Sequence, residues 1–182
     1  MRLLEQTLKD IIGLMKRSLS LTLMFLGTLI ILAAFGWAYV ENSISHPAGL
    51  ILPDQLAGLP LSSQMTGPQV VADFSNLHGE QFPVTSGAVG FYGNNRATLW
   101  VAGAPLNLMA ARLVTAMRDK ISEGNSPFTP TGEYQDKLRT IYALEGIGQK
   151  HFYFQSHNLV IWLAADADIA DAALQQLKEI YP

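Results

Sequence analysis

The chain has 182 residues, 12 Lys and Arg against 15 Asp and Glu, a formal net charge of −3 and no cysteine. So small a net charge, with no basic run after residue 40, argues against nucleic acid as a partner. Without cysteine there can be no disulfide, thioether-linked haem, thiolate metal site or Cys nucleophile, although the compartment is left open.

Residues 1–18 place Leu4, Leu8, Ile11, Ile12 and Met15 at helical spacing, with Glu5, Gln6, Lys9, Asp10 and Lys16 in the remaining directions. This predicts a cytoplasmic amphipathic helix. It either lies on the inner membrane surface and leads into the next segment, or docks a partner on the cytoplasmic side.

Residues 19–40, LSLTLMFLGTLIILAAFGWAYV, carry no charge. At about 1.5 Å per residue the segment reaches about 33 Å as a helix, enough for a hydrocarbon core of about 30 Å. Only a helix satisfies its own backbone inside lipid, so a transmembrane helix is expected. Trp37 and Tyr39 stand at its end, where amphipathic rings favour the headgroup level. Arg2, Lys9, Lys16 and Arg17 precede the span and the next cation is Arg96. The positive-inside bias therefore puts the N-terminus in the cytoplasm and the remainder outside. A cleaved secretory signal is the rival reading, since Lys16-Arg17 precede the apolar run and Gly36-x-Ala38 offers small residues. The apolar run exceeds an ordinary signal core, which favours an uncleaved, single-pass signal-anchor. Ala34-xxx-Ala38 is its one small-xxx-small spacing, and no ionisable residue marks an ion path.

Residues 41–69 hold Pro47, Pro53, Pro60 and Pro68 among apolar residues such as Leu50, Ile51, Leu52, Leu56, Leu59 and Leu61. They predict a Pro/Gly-rich apolar linker without a long helix or strand, packed on its own domain or on a neighbour.

Residues 70–182 then suffice for one extracytoplasmic α+β domain. Residues 70–74 read as a strand or short helix. Segments 87–93 and 97–103 flank Asn94-Asn95 as a β-hairpin. Pro105 opens a helix with Leu106, Met109, Leu113, Met117 and Ile121 on one face, ending near Gly124. Residues 125–138 read as a polar loop with two prolines. Strands follow at 140–145, 150–155 and 158–164, and a last helix at 169–181 buries Ala170, Ala173, Leu174, Leu177 and Tyr181. A gapless shift of 62 residues lays Tyr92 on Phe154, Trp100 on Trp162, Ala102 on Ala164 and Ala110-Ala111 on Ala172-Ala173. The shift suggests a duplicated ββα unit. The expected architecture is α+β: one N-terminal transmembrane helix and an exported, mostly antiparallel sheet with two helices on one face.

No residue pattern supports a catalytic, cofactor-binding or metal site. His46, His78, His151 and His157 lack ligand spacing and read as structural or exposed. Asp166, Asp168 and Asp171 resemble the start of a calcium loop, but the glycine and distal Glu are missing, and helix capping explains them better. There is no GxSxG, and Gly90 to Gly93 lacks the ending of a phosphate loop. Asp73, Glu80, Glu133, Asp136 and Glu145 read as surface carboxylates. Phe91, Tyr92, Trp100, Phe152, Tyr153, Phe154 and Trp162 suit a core, or a binding face where they point outward.

These features point to a non-catalytic accessory or scaffold subunit of a larger membrane protein complex, not an enzyme, with an energy-converting electron-transfer complex as a natural host. Its partners are then the lipid bilayer and membrane proteins, met through the span, the N-terminal helix and residues 41–69. The alternative is an extracytoplasmic sensor or ligand-binding domain on a single-span anchor, which requires a concave pocket between sheet and helices.

Overall fold

The computed structural model describes residues 2–45, 50–78, 84–124 and 126–182. It divides into two units, Met1–Asn42 and Ser43–Pro182. Helix α1 runs unbroken over Arg2–Ser45, so the expected amphipathic helix and apolar span are one continuous element. Its stretch Met15–Asn42 has a mean hydropathy of 2.2 and buries none of its surface within the protein, and is long and apolar enough to cross a membrane. The two threonine hydroxyls in this stretch donate to the helix's own carbonyls, Thr22 to Ser18 and Thr28 to Met24. Neither hydroxyl therefore needs an outside partner.

The second unit is built on one antiparallel sheet. Its strands are β1 (Gln55–Leu56), β2 (Leu59–Thr66), β3 (Ser86–Tyr92), β4 (Ala97–Gly103), β5 (Phe128–Asp136), β6 (Arg139–Gly146), β7 (Gln149–Ser156) and β8 (Leu159–Ala165). Helices α2 (Pro68–His78), α3 (Asn107–Ser122) and α4 (Ala170–Ile180) complete it. The spatial order is β1-β2-β3-β4-β8-β7-β6-β5. The chain thus meanders inward to β4, crosses by α3 to the far edge at β5, and meanders back to pair β8 with β4. Tight turns serve the meanders: Ala57-Gly58 and Ile147-Gly148 both have positive φ at each central residue. That backbone twist matches the twist of the flanking strands.

Alternation along the strands separates two apolar faces. On one, Leu99, Val101, Phe154, Ile161 and Leu163 pack with Ala170, Ala173, Leu174 and Leu177, the i, i+3, i+4, i+7 stripe of α4. On the other, Tyr153 and Val160 pack with Ala110, Leu113, Val114 and Ile121 of α3. Val70 and Phe74 of α2 pack there too, with Val89 of β3. One face does carry two helices, but they are α2 and α3. The helices at 105–124 and 169–181, expected to lie together, are on opposite faces.

The shift of 62 is correct for the central pair, where it superposes β4 on β8. It is two residues out for β3 and β7, because the β3–β4 loop (93–96) is longer than the β7–β8 turn (157–158). A slip of two keeps every side chain on its face, which is why the aromatic matches survive. The helices do not follow the repeat: Ala110 is buried while Ala172 is exposed.

Two expected loops are strands. β1 and β2 run through the second half of the supposed linker, so the sheet begins at Gln55, ahead of the expected start near Val70. β5 occupies most of the supposed polar loop. β5 is an edge strand and β2 is covered only by the two-residue β1, so both are largely exposed and lack an alternating pattern. Pro130 sits beside a bulge, where a missing N–H is tolerated. Residues 70–74 lie within α2, whose first residue is Pro68, at a position that needs no N–H partner.

Of the two expectations for the linker, residues 50–61 follow the first: Leu50, Leu52, Leu56, Leu59 and Leu61 pack on the α4-side core. Gln176 of α4 clamps the β1–β2 turn, accepting from the Ala57 N–H and donating to the Gln55 carbonyl, each at 2.8 Å. Tyr92 donates to Pro53 O at 3.0 Å and Tyr181 to Ile51 O at 2.5 Å. His46, Pro47 and Glu80 lie outside the described residues, as do the side chains of Leu4, Leu8, Ile11, Ile12 and His78.

Candidate functional site

One concavity of the domain lies on the α2/α3 face. Its floor is made by Trp100 and Trp162, direct partners on β4 and β8. The aromatic row continues across the sheet through Tyr153 and Tyr142. Trp162 stacks on Tyr153 at 5.2 Å and Tyr153 on Tyr142 at 4.8 Å, both pairs inclined by 13°. That spacing is close to the inter-strand distance, so the sheet itself sets the stack. Ala102 and Ala164 stand beside the two indoles, and the small side chains leave a cavity of about 390 Å³. Phe74 of α2, Leu113 and Met117 of α3, Phe128 and Ile147 enclose it.

His151 fixes one side of the floor. It is buried; its Nδ1 accepts the Trp162 indole N–H at 3.1 Å, so its Nε2–H is the donor to Gly146 O, at 2.9 Å. Burial lowers its pKa below the ordinary 6.5, against the opposing effect of the Gly146 bond. Phe128 presents its edge to both rings, at 4.7 Å from His151 and 5.1 Å from Trp162. Gly146 allows this approach, since a Cβ there would stand 2.6 Å from a Phe128 ring carbon and from Pro127 O. Ile147 follows with φ of 53° and 76 % exposure. A β-branched residue in the left-handed region is disfavoured, and this one sits at the rim of the cavity.

The carboxylates expected to cap α4 do something else. The residue before α4 is Ile169, and α4 has no side-chain cap. Asp166 and Asp168 instead receive Arg96, at 3.1 and 2.5 Å, and Asp166 also receives Gln149 at 3.0 Å. Gln149 and then Arg96 hold the Asp166 carboxyl below its usual value. The group ties the β3–β4 loop to β7 and to the start of α4. Asp171 lies in the first turn of α4, where its charge complements the dipole, and pairs with Lys150 at 3.5 Å.

Asp136, expected on a solvated surface, is largely buried. It binds Arg139 at 3.0 Å and Lys178 at 2.8 Å. Lys178 and then Arg139 lower its pKa, against desolvation. Arg139 also donates to the carbonyls of Lys178 and Tyr181 at the end of α4 and stacks 4.6 Å from the Phe154 ring centroid. A cation at carbonyls left open by the helix closes its C-terminus.

His157 occupies the β7–β8 turn with φ of 52°. Among the described residues no three His, Asp or Glu side chains gather in a way that would hold a metal ion. Asp73, Glu133 and Glu145 are exposed and remain apart from the cavity. Of the aromatics singled out in the sequence, Tyr92, Phe152, Tyr153 and Phe154 are core, while Trp100 and Trp162 are partly exposed on the cavity floor. Compared with known proteins, the chain matches no family model, no curated protein and no solved structure. The cavity walls were not legible in sequence, because Phe74, Met117, Phe128 and Ile147 converge only through the crossover of α3. The equivalent placement of Trp100 and Trp162 was the one available signal.

Proposed function

We propose that the chain is a non-catalytic accessory subunit of a membrane protein complex. It is anchored through α1, with its N-terminus cytoplasmic and the α+β domain extracytoplasmic. The observation that carries this reading is Met15–Asn42, an apolar stretch that buries nothing within the protein and so requires lipid or another protein around it. The orientation rests on the four cations before the apolar run and the absence of any other before Arg96.

Purification of the tagged chain in mild detergent, with native mass analysis, tests the subunit reading. Stoichiometric co-purifying membrane proteins are the expected result, and a lone monomer or homodimer overturns it. Because the chain has no cysteine, a Leu138→Cys variant tests the orientation. Leu138 is fully exposed at the β5–β6 turn, so an impermeant thiol reagent should label it from outside intact cells.

The cavity over Trp100 and Trp162 favours a second reading, an extracytoplasmic ligand-binding domain on the same anchor. It supplies the concave pocket between sheet and helices that this reading requires.

A further inference from the structure

The cavity volume of about 390 Å³ falls among small-molecule sites, which run from roughly 300 to 1,000 Å³. At about 30 Å³ of liquid volume each, roughly a dozen waters would fill it, and each needs two to four polar partners. The lining offers few. Both ring nitrogens of His151 are engaged by Trp162 and Gly146. The Gln149 side-chain nitrogen is held by Asp166 and by the carbonyls of Asn95 and Arg96. Water there is poorly bonded, and an apolar group that displaces it gains affinity.

The chemistry of the occupant follows from the walls. Among the described residues no Asp, Glu, Lys or Arg lines the cavity, so an ionic group inside would be unpaired and costly. Size separates a small ligand from a protein segment. A helix about 10 Å across fills roughly 400 Å³ per turn, so a partner helix could insert about one turn. The floor is the face of a sheet, not its edge, so strand addition is not available either. The Trp100 indole N–H makes no hydrogen bond among the described residues, whereas that of Trp162 is taken by His151. Trp100 therefore has a donor to offer an ester or carboxyl oxygen.

We propose that this cavity binds the hydrocarbon chain of a lipid, lying across Trp100 and Trp162 between Phe74 of α2 and Met117 of α3. The choice of a lipid over other apolar ligands rests on the membrane-anchored reading, which makes acyl chains the most abundant apolar ligand available. Ala102 keeps the floor open, and Ile147 extends the apolar surface to the rim. The source of the chain is either a membrane phospholipid or a free fatty acid.

The chain's three tryptophans allow a direct test. In a full-length Trp37→Phe variant, only Trp100 and Trp162 remain as indole emitters. One arm places it in nanodiscs of phospholipid with brominated acyl chains, which quench tryptophan on contact. The other adds brominated fatty acid to the variant in unbrominated nanodiscs. Quenching in the first arm alone assigns phospholipid, quenching in the second assigns free fatty acid, and either supports the site. Ala102→Leu should fill the cavity, and Ile147→Lys should charge its exposed rim without touching the core. Each is expected to raise the half-quenching concentration by about tenfold, or about 1.4 kcal/mol. No quenching in either arm, or quenching that both variants leave unchanged while circular dichroism shows them folded, overturns the proposal. Co-migration with nanodiscs reports the anchor separately. If the chain does not enter them, the fatty-acid arm is run without lipid and still tests the cavity.

Discussion

Trp100 and Trp162 face each other across the β4–β8 pairing, and each is the other's counterpart under the 62-residue shift. The two indoles therefore mark both the centre of the sheet and the floor of its cavity. Their surroundings differ: Trp162 is stacked on Tyr153 and bonded to His151, while Trp100 has neither contact. Trp162→Phe should consequently disturb the protein more than Trp100→Phe. It strands the His151 Nδ1 acceptor, at a cost of about 1–3 kcal/mol for a buried unsatisfied group, and urea unfolding of the two variants checks the order.

His151 should make stability depend on pH near neutrality. Its folded pKa lies below the ordinary 6.5, so as the pH falls below that value the unfolded chain binds the proton first. The His151 contribution is full above pH 6.5 and is lost progressively below it, down to the folded pKa. Urea midpoints should fall as the pH is lowered from about 7.5 to about 5, and His151→Gln should flatten this part of the curve.

The carboxylates act at lower pH with the same sign. Asp136 and Asp166 are held below their ordinary 3.8 in the folded chain. The unfolded chain takes up protons first, so the stabilisation is complete above pH 3.8 and drains as the pH drops through and below it. Asp136→Asn and Asp166→Asn should each lower the midpoint at neutral pH and lessen its further loss in acid.

Sequence periodicity specified most of the centre of this domain and little of its margins. The hairpin around Asn94-Asn95, the strands at 140–145, 150–155 and 158–164, and the stripe Ala170, Ala173, Leu174, Leu177 all bury one face, and burial writes a period into the sequence. β2 and β5 bury almost nothing, so Leu59–Thr66 and Phe128–Asp136 show no such period. The face chosen by each helix was equally hidden: α3 and α4 are both amphipathic, and amphipathicity does not say which side of a sheet is covered. The Asp166–Arg96 pair joins residues far apart in the chain, whereas capping is a local rule, and local reasoning chose the local partner.

Gly146 and Ile147 should respond in opposite directions. Gly146→Ala puts a methyl group against Phe128 and Pro127 and should destabilise by about 1–3 kcal/mol, as overpacking does. Ile147→Asn relieves a left-handed β-branched residue at an exposed turn and should stabilise by about 1 kcal/mol. Thermal unfolding of the pair checks both signs. If Ile147 is retained for the cavity, the more stable variant should also quench less in the brominated-lipid assay.

Gln176→Ala should loosen the segment ahead of the sheet without unfolding the domain. It removes two hydrogen bonds to the β1–β2 turn, each contributing about 1 kcal/mol. Faster amide exchange confined to residues 50–61, with the β7 and β8 amides still protected, is the expected pattern.

The strand order 1-2-3-4-8-7-6-5 also divides the work of folding. Within the halves, β1–β2, β3–β4 and the strands from β5 to β8 are joined by hairpins that close within microseconds, while α2 links β2 to β3. The halves are joined by the β4–β8 seam, whose partners are about 60 residues apart, a non-local contact of the kind that slows folding. Until that seam forms, each half carries an open edge of apolar strand. A β8 from a second copy fits the β4 edge as well as its own does, so at high concentration two chains can exchange halves through the α3 crossover. Dilute refolding should give monomers, and concentrated refolding an intertwined dimer with the same sheet.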